Sequence, residues 1–293
     1  MHILGSAAGG GVPQWNCSCK NCQVERQNIN SYNRRTQSSV AVSIDKRRWI
    51  ILNASPDIRT QIISFSELGP TKGTIRDSAI EAIVLTDGEM DHILGLLSLR
   101  EHSKLHLVCT ENIRRLLTCD FPLLKTLEKY CSIRYSTFPF YTNSLVITAL
   151  DVSAKKPLYA KIGSKISDIA VGIKLRSTKT KKIMVYLPCL PAITDNIRQF
   201  VDGCDCLLVD GTFWSNQEMI SLGITKRNAY EMGHVPIEGK NGSLTWLSSL
   251  DIPKKIYIHI NNTNPILLKT SKERKIVDKA RIEVGYDGME FMI

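Results

Sequence analysis

The amino-acid sequence predicts an α/β fold in which β-sheets form a layered sandwich and helices cover its outer faces. Short apolar runs bounded by Gly, Pro, Asn or Asp recur throughout the 293 residues, and such runs are typical of buried strands. Several of these runs are followed by segments with helical periodicity. The strands fall into two groups, each completed by helices, which indicates a layered sandwich. Because no internal repeat or long linker occurs, we expect a single domain over residues 1–293.

In the first half of the chain, a predicted hairpin leads into alternating strands and helices. The apolar runs 40–44 and 49–53 flank the polar turn 45–47, a pattern typical of a hairpin. Further strands are predicted at 80–86 and 105–109, and helices at 91–98 and 112–129. Pro122 is expected to interrupt the second helix, because an interior proline removes a backbone hydrogen bond.

The second half of the chain has the same general plan. Its predicted strands are 144–152, 171–176, 182–187, 206–210 and 255–260. Its predicted helices are 193–202, 239–249 and 272–282. Strand-rich segments therefore precede alternating helices and strands in this half as well.

The composition, with 43% hydrophobic and 23% charged residues, is that of an ordinary globular protein. The formal net charge of +10 favours acidic partners such as nucleic acid, anionic membranes or a carboxylate-rich substrate. Many lysines, however, are scattered in short segments such as 178–182 and 271–275, without a long basic run or interleaved aromatic residues. We therefore predict a solvated basic surface and no nucleic-acid binding.

No stretch reaches the roughly 18 consecutive apolar residues that a membrane span requires. The N-terminal segment has no basic region and only a short apolar run, which argues against a secretory signal. We therefore expect a cytoplasmic protein without a membrane span. In that compartment, the nine cysteines are expected to be thiols or metal ligands rather than disulfides.

The segment VLTDGEMDHILG concentrates four potential ligands at one strand-to-helix corner. A hydrophobic strand ends at Thr86, and Asp87, Glu89, Asp91 and His92 follow before the predicted helix is under way. A purely structural interpretation is also open, in which Asp87 is an acid at a helix N-terminus and the glycine after it forms a turn.

Three further candidates lie at predicted strand ends or in a loop of the second half. His259 ends an apolar run and precedes a loop rich in asparagine, a profile typical of a functional loop. His234 lies in a Gly-His loop, and Asp210 closes a predicted strand. A single histidine at a strand end is often structural, but acids and histidines at the ends of separate strands can converge at one edge of a sheet.

The segment CSCKNC carries the strongest local metal signal in the sequence. Its three thiols, Cys17, Cys19 and Cys22, lie within six residues and can surround one tetrahedral zinc ion. Free buried thiols are the alternative. The sequence does not name a fourth ligand for Zn(II) at this site.

These motifs together resemble the metallo-β-lactamase superfamily, whose hallmark after the second core strand is His-x-His-x-Asp-His. The corresponding stretch here is DGEMDH, residues 87–92. Within the superfamily, the chain is most similar to the pyrroloquinoline quinone (PQQ) biosynthesis protein B family. The likeness spans nearly the whole chain and is carried by residues 5–22, 35–43, 52–61, 85–101, 208–214, 232–237 and 259–267.

The resemblance implies an αββα sandwich of two mixed β-sheets with outer helices and a metal at one edge. It also implies a role in making PQQ, a redox cofactor built from a Glu and a Tyr of a small ribosomal peptide, alongside other PQQ-biosynthesis proteins. Two functions are attributed to the family. One is iron-dependent hydroxylation of the tyrosine ring, and the other is non-catalytic transport of PQQ or its precursor to the periplasm.

The departures from the superfamily pattern all concern the ligands of one metal. In dinuclear members, the first metal takes the two histidines of His-x-His and a third histidine from the middle of the chain. Here Asp87 and Glu89 occupy the first two positions, and no histidine occurs between His106 and His234. The resemblance therefore implies that the first metal is lost.

The ligands of the second metal are retained, since Asp91, His92 and His259 match its Asp-His pair and late histidine. Two histidines and one carboxylate with open positions are typical of non-haem Fe(II) oxygenases that activate O2. A zinc hydrolase more often keeps three protein ligands and a bound water, and is the third candidate function. We therefore predict Fe(II) at these residues, with Asp210 as a further oxygen ligand.

The remaining polar residues of the motif are predicted to act beside the metal. We expect His234 to be a further ligand or an acid–base group near the substrate. Asp87 and Glu89 are expected to hydrogen-bond the metal-binding histidines or to orient a substrate phenol. The basic surface suits a substrate with several carboxylates, such as a cross-linked Glu-Tyr precursor of PQQ.

Overall fold

The computed structural model describes residues 1–27, 34–70, 73–102, 104–152, 156–161 and 167–293. Two mixed β-sheets stack against each other, and helices pack on their outer faces. Each sheet contains antiparallel strands that are followed along the chain by parallel ones. The α/β sandwich of two mixed sheets with outer helices is therefore confirmed.

The first sheet follows the order of the chain. Its described strands are β1 (His2–Gly5), β2 (Ser39–Val42), β3 (Trp49–Leu52), β4 (Ile80–Val84), β5 (Lys104–Val108) and β6 (Ser132–Ser136). The strands β1 to β3 are antiparallel, whereas β3 to β6 run parallel. The predicted hairpin and the two predicted strands after it are present with slightly shifted bounds. The strands β1 and β6 lie outside the predicted elements.

The second sheet is built in the same way. Its described strands are β7 (Phe140–Tyr141), β8 (Leu145–Asp151), β9 (Val171–Ser177), β10 (Ile183–Leu187), β11 (Cys206–Asp210), β12 (Lys254–Ile258) and β13 (Glu283–Val284). The strands β7 to β10 are antiparallel, and β10 to β13 run parallel. All five strands predicted for this half are found, and the two-residue strands β7 and β13 are additional.

The helices of the described chain are shorter than the sequence predicts. They are α1 (Lys20–Gln27), α2 (Ile58–Ser64), α3 (Met90–Ile93), α4 (Glu111–Arg115), α5 (Leu123–Leu127), α6 (Asp195–Val201), α7 (Glu218–Ser221), α8 (Ser243–Ser248) and α9 (Lys272–Lys279). The predicted helix 112–129 consists of α4, a π-helical turn and α5, with the break before Pro122 as expected. The predicted helix 239–249 begins only at Ser243, because Gly239 has a positive φ of 96°.

Apolar side chains fill the space between the two sheets and the space beneath their outer helices. The polar side chains of interest lie at one edge, where the parallel strands of both sheets end. Asn53 follows β3, Asp87 lies beyond β4, Asp210 ends β11 and His259 follows β12. In the part of the chain that is described, no helix is both long and apolar enough to cross a membrane.

Candidate metal centre

A cavity of about 360 Å³ opens at this edge. Six of the predicted active-site residues line it, namely Asp87, Glu89, Asp91, His92, His234 and His259. Asp210 is fully buried behind the wall and is hydrogen-bonded to His234. The structure thus brings together side chains from both sheets, as the convergence of strand ends predicts.

His92 is held by Asp87 in an orientation suited to metal binding. The Nδ1 atom of His92 lies 2.9 and 2.8 Å from the two carboxylate oxygens of Asp87. The Nε2 atom on the other side of the ring is buried, and the described residues offer it no hydrogen-bond partner. A buried ring nitrogen without a partner is costly unless a ligand occupies its lone pair. This atom therefore fits a metal ion, and Asp87 fixes the tautomer that presents it.

Asp87 is itself fixed by hydrogen bonds from its own turn. The Thr86 hydroxyl donates to one carboxylate oxygen at 2.7 Å, and the Glu89 backbone N–H donates to the other at 2.9 Å. Asn53 in turn donates to the Thr86 hydroxyl at 2.9 Å, and its side-chain oxygen accepts the Thr86 N–H at 2.9 Å. A continuous chain of hydrogen bonds therefore runs from the loop after β3 to the ring of His92.

His259 faces Asp91 across the cavity. Its Nε2 atom lies 3.1 Å from the Asp91 carboxylate, and its Nδ1 atom lies 2.8 Å from the Thr212 hydroxyl. The backbone of His259 has a φ of 54°, a left-handed conformation that non-glycine residues adopt rarely and that is enriched at functional sites. The conformation is held by its neighbour Ile260, whose N–H bonds the Ser6 carbonyl at 3.0 Å.

His234 is paired with Asp210. Its Nδ1 atom lies 2.6 Å from the Asp210 carboxylate, and its ring stacks on that of His259 with 5.5 Å between centroids. Asp210 also accepts the backbone N–H groups of Leu190 and Thr212, both at 2.9 Å, and the Thr212 hydroxyl at 2.6 Å. With both oxygens engaged, Asp210 is well placed to orient His234 and keep its Nε2 atom directed away from the carboxylate.

The electrostatics of the cavity favour a cation. Burial alone would raise the pKa of Asp91, but the charge of His92 and the contact with His259 hold it well below its ordinary value. Burial would likewise lower the pKa of His92, yet Asp87 and Asp91 raise it to about 9. At neutral pH these values indicate ionised carboxylates around an imidazolium, and a metal ion that binds His92 displaces its proton.

Two overlapping sets of side chains are spaced for a metal ion. One consists of Asp91, His92 and His259, and the other of Asp210, His234 and His259; within each set the ligand atoms lie within 4.8 Å of one another. His259 is common to both. Asp91, His92 and His259 are thus brought together, and Asp210 and His234 form the second set with the shared histidine.

Several residues of the cavity wall are not among the predicted site residues. They include Gln14, Leu158, Cys189, Phe213, Met219, Arg227, Met232 and Asn261. Cys189 follows β10 and therefore lies at the same edge of the sheet. The end of the predicted strand is enough to indicate this position. Arg227 comes from an irregular loop, and nothing in its local sequence distinguishes it from other surface cations.

The three thiols of the CSCKNC segment form a second cluster beside the cavity. The sulfur atoms of Cys17, Cys19 and Cys22 lie within 4.8 Å of one another. Burial would raise the pKa of Cys17, but hydrogen bonds from Cys19, Asn262 and Cys22 lower it below its ordinary value, while burial raises the pKa of Cys19 to about 12. The cluster is close enough for one tetrahedral ion, as the spacing of the cysteines predicts.

Comparison with known proteins agrees with this architecture. A family model described as the beta-lactamase superfamily domain matches residues 48–260. The two-sheet sandwich and its edge of carboxylates and histidines define a protein of that superfamily. The coenzyme PQQ synthesis protein B of Methylococcus capsulatus is 41% identical, and the match covers 100% of this chain and 99% of that one. The chain belongs to the family of coenzyme PQQ synthesis protein B.

Solved structures place the chain in the same family. The crystal structure of Zn²⁺-bound PqqB from Methylobacterium extorquens is 35% identical with a TM-score of 0.91, covering 100% of this chain and 99% of that one. A diphosphatase of the PhnP family is 20% identical with a TM-score of 0.69, covering 98% and 94% of the two chains. The second likeness shows a shared fold only.

Proposed function

We propose that this protein acts in PQQ biosynthesis as a mononuclear non-haem iron enzyme that uses O2 to hydroxylate the tyrosine ring of a cross-linked Glu-Tyr precursor. The observation that carries this proposal is the set of Asp91, His92 and His259, which offers two imidazoles and one carboxylate to a single ion. Such a set leaves positions open for O2 and substrate. Bound Fe(II) would supply the activation of O2 beside the substrate.

The groups behind the two histidine ligands support the same assignment. Asp87 engages Nδ1 of His92, and the Thr212 hydroxyl engages Nδ1 of His259, so that both rings direct Nε2 towards the cavity. Hydrogen bonds of this kind fix the tautomer of a metal-binding histidine and orient its ring. The prediction that Asp87 acts through a ligand N–H is therefore consistent with its contacts.

His234 is proposed as the acid–base group for the substrate phenol. Burial would lower its pKa, but the charge of Asp210 and their hydrogen bond raise it above its ordinary value. A protonated His234 can donate a hydrogen bond to the phenol oxygen, and a neutral His234 can accept the phenol proton as the ring is oxidised. The contacts of Asp210 favour this orienting role over the direct metal ligation that the sequence predicts. Glu89, which lines the cavity, is proposed to bind the same phenol.

The cavity also suits the charge of the proposed substrate. Among the described residues that line it, Arg227 is the cation that is not a histidine. Apolar side chains such as Phe213 and Met232 fill part of the remaining wall. An aromatic substrate with carboxylate groups can therefore place its ring among the apolar residues and one carboxylate on Arg227.

A zinc hydrolase is less well supported by the contacts. The first metal of dinuclear superfamily members needs histidines where this chain has Asp87 and Glu89. Both oxygens of Asp87 already accept hydrogen bonds from His92, Thr86 and the Glu89 backbone, so that metal binding there would break them. The zinc bound by the Methylobacterium extorquens relative makes metal analysis part of any test.

We propose a separate, structural role for Zn(II) at Cys17, Cys19 and Cys22. Three thiolates in one cluster suit zinc rather than a redox-active iron with open positions. The two sites therefore differ in donor chemistry, and metal analysis of protein purified without oxygen is expected to give about one iron and one zinc per chain.

The test is a single-turnover reaction in the absence of other biosynthetic proteins. Protein loaded anaerobically with Fe(II) is mixed with the cross-linked Glu-Tyr dipeptide and ascorbate, and O2 is then admitted. One oxygen atom is expected in the ring, giving a catechol with a mass increase of one oxygen, while the other leaves as water with the two electrons of ascorbate. Labelled ¹⁸O2 identifies the source of the atom.

The controls separate the chemistry from binding. Zinc-loaded protein and the His92→Ala variant are expected to bind the dipeptide without changing it. The Lys226→Ala variant, which alters an exposed neighbour of Arg227, is expected to react like the wild type. Unchanged dipeptide in the presence of fully loaded iron would rule out the hydroxylase.

The alternative is a non-catalytic carrier that takes PQQ or its precursor on its way to the periplasm. The cavity wall of apolar residues and Arg227 favours binding of such a ligand whether or not it reacts. A carrier is expected to bind PQQ tightly without turnover and to keep that affinity in His92→Ala. Equilibrium binding of PQQ to both proteins is followed by fluorescence, and tight binding by both together with unchanged dipeptide in the turnover assay would favour this function over the first.

A further inference from the structure

An exposed leucine forms part of the wall of the metal cavity. Leu158 lines the cavity and is nevertheless 82% exposed. It belongs to residues 156–161, a segment between β8 and β9 that we call the strap. Single exposed apolar residues are common on protein surfaces, so the meaning of this leucine depends on how its neighbours are held.

The strap is folded as a tight turn. The Ala160 N–H donates to the Pro157 carbonyl at 3.0 Å, so that Leu158 and Tyr159 occupy the two central positions. The two central side chains have different surroundings. Leu158 lines the cavity, whereas the Tyr159 hydroxyl donates to the Gly88 carbonyl at 2.5 Å.

Tyr159 fixes the strap to the metal-binding turn. Its ring lies beside that of Phe121, with 5.2 Å between centroids. A Cβ atom at Gly88 would lie only 2.8 Å from the Tyr159 hydroxyl and 2.5 Å from the side chain of Leu116. Any larger residue at position 88 would therefore displace these groups, and the glycine allows the close approach of the strap.

The end of the strap is anchored as well. Ala160 is buried against Leu116 and Ile169. The Lys161 N–H donates to the Asp120 carboxylate at 2.6 Å. Leu158 is therefore exposed on a segment whose other contacts are well defined, and a molecule in the cavity can cover it without moving the backbone.

The strap also contacts the turn that carries a proposed substrate-binding group. Gly88 lies between Asp87 and Glu89, and both carboxylates line the cavity. Burial, together with the charges of Glu89 and Asp87, raises the pKa of Tyr159, so that its hydroxyl stays protonated and can donate to the Gly88 carbonyl. One hydrogen bond thus joins an apolar wall residue to the turn with the polar group proposed to bind the phenol.

We propose that Leu158 is a specificity-determining residue that packs on the tyrosine ring of the bound precursor, and that Tyr159 is the positioning residue that holds it there. This inference rests on the function proposed above. A leucine and an aromatic ring both lose apolar surface to water when they pack together. A carboxylate-rich molecule without a ring gains nothing from this contact, so the strap favours aromatic substrates.

The experiment observes Leu158 directly by NMR. Zinc-loaded, full-length protein with ¹³C-labelled leucine methyl groups is titrated with the cross-linked Glu-Tyr dipeptide. Zinc is diamagnetic and does not support turnover, so that binding is observed alone. The Leu158→Met variant identifies the Leu158 signals by their absence. Packing of the substrate ring on Leu158 is expected to move these methyl signals upfield through the ring current.

The affinities of four variants test the same contact. We expect roughly tenfold weaker dipeptide binding in Leu158→Asn and binding within about twofold of the wild type in Leu158→Met, which keeps an apolar side chain of similar volume. Ile75→Asn changes an exposed aliphatic residue outside the cavity and is the matched control. Tyr159→Phe keeps the ring but removes the donor to Gly88, and should weaken both the affinity and the methyl shift at saturation.

Urea unfolding accompanies these measurements, and Leu158→Asn is expected to be as stable as the wild type because the leucine is exposed. Unmoved Leu158 signals in the presence of bound dipeptide, or wild-type affinity in Leu158→Asn, would overturn the role of Leu158 and leave the proposed function intact. A wild-type methyl shift and affinity in Tyr159→Phe would overturn the positioning role. Failure of the wild type to bind the dipeptide would overturn the proposed function and this inference together.

Discussion

At the scale of single residues, Asp87 shows how a substitution can change the role of a position. In superfamily members with two metals this position carries a histidine ligand. Here its carboxylate accepts the Nδ1 side of His92 at 2.8 Å and is in turn fixed by Thr86. In the proposed centre, a position that binds one metal in those members has thereby become the hydrogen-bond partner of a histidine proposed to bind the other.

Asp87→Asn is expected to weaken Fe(II) binding by roughly 10- to 100-fold, the usual effect of losing the partner of a metal-binding histidine. The amide is neutral and can also turn its N–H group towards His92, which would favour the wrong tautomer. Chelator competition under anaerobic conditions measures the affinity. The exposed Asp195→Asn is the control and should leave it unchanged. Equal affinities in the two variants would show that Asp87 does not act through His92.

Glu218 provides a prediction about pH that is independent of the metal. Burial raises the pKa of this carboxyl from 4.5 to about 7, although hydrogen bonds from Thr263 and the Trp214 N–H partly oppose the shift. The folded state therefore holds the proton more tightly than the unfolded state. Stability is unaffected below pH 4.5, falls as the pH rises towards 7 and stays reduced above it.

Glu218→Gln is expected to remove this loss, which corresponds to about 3 kcal/mol for a shift of this size. Urea unfolding at pH 5 and pH 8 is the measurement, and the variant should gain stability relative to the wild type only at the higher pH. Asp251→Asn, which neutralises an exposed carboxylate, serves as the control. A gain of the same size at both pH values would contradict the assigned cause.

The sequence predicts those site residues that are recognisable both by their side-chain chemistry and by their place after an apolar strand. Asp91, His92 and His259 follow apolar strands, so that their type and their place at the sheet edge are both visible in the sequence. Asn53 and Arg227 are not predicted, because an amide or a cation in a loop has many possible roles. Their function depends on which distant segment they meet, which local patterns do not contain.

At the scale of elements, the position of the short helix α3 is fixed by its close backbone contact with the loop after β3. The Gly95 N–H bonds the Ala54 carbonyl at 3.0 Å, and the Ala54 N–H bonds the His92 carbonyl at 2.7 Å. A Cβ atom at Gly95 would lie only 2.1 Å from the Ser55 carbonyl oxygen. The helix is thus packed backbone to backbone on the loop after β3, and it continues as the 3₁₀ helix Leu94–Leu99 instead of the regular helix that the sequence predicts.

Gly95→Ala is expected to push α3 away from this loop. The cost is expected to be roughly 2 kcal/mol or more, since the obstructing atoms are backbone and cannot rotate aside. Because His92 belongs to α3, weaker Fe(II) binding should accompany the loss of stability. Denaturant unfolding and metal titration test both effects, and Ser98→Ala in the following turn is expected to change neither by more than about 0.5 kcal/mol.

The elements that the sequence misses are those with weak periodicity. The strands β7 and β13 have two residues each, too few for an alternating pattern. The helix α1 is polar over most of its length, although Cys22 within it is fully buried. The apolar strand β11 is predicted to the residue, because its burial is continuous.

At the scale of the whole molecule, the metal centre depends on the packing of both sheets. Asp91 and His92 follow a strand of the first sheet, whereas His259 follows a strand of the second. The hydrogen-bond chain behind His92 also reaches the second sheet, because Asn53 lies 3.5 Å from the Tyr186 hydroxyl on β10. Metal binding is therefore linked to the folding of the complete sandwich.

Removal of the metals is expected to lower thermal stability in two separable steps. Free Fe(II) at about 100 times its dissociation constant contributes about 2.7 kcal/mol, and zinc contributes by the same relation. A chelator should therefore lower Tm by several degrees, with Fe(II) and Zn(II) each restoring part of the loss. The His92→Ala variant should lose the Fe(II)-dependent part and keep the Zn(II)-dependent part. An unchanged Tm after complete removal of both ions would contradict the link.

The distance in sequence between the residues of the metal centre sets an order of events during synthesis. Asp91 and His259 are separated by 168 residues, so that nearly all of the second sheet must be translated between them. Asp91 and His92 are synthesised early, and at that stage they offer only two of the three proposed ligand groups. The three-residue set exists only after β12 has joined its sheet. Insertion of the ion is therefore expected to be a late step of maturation, after the chain has left the ribosome.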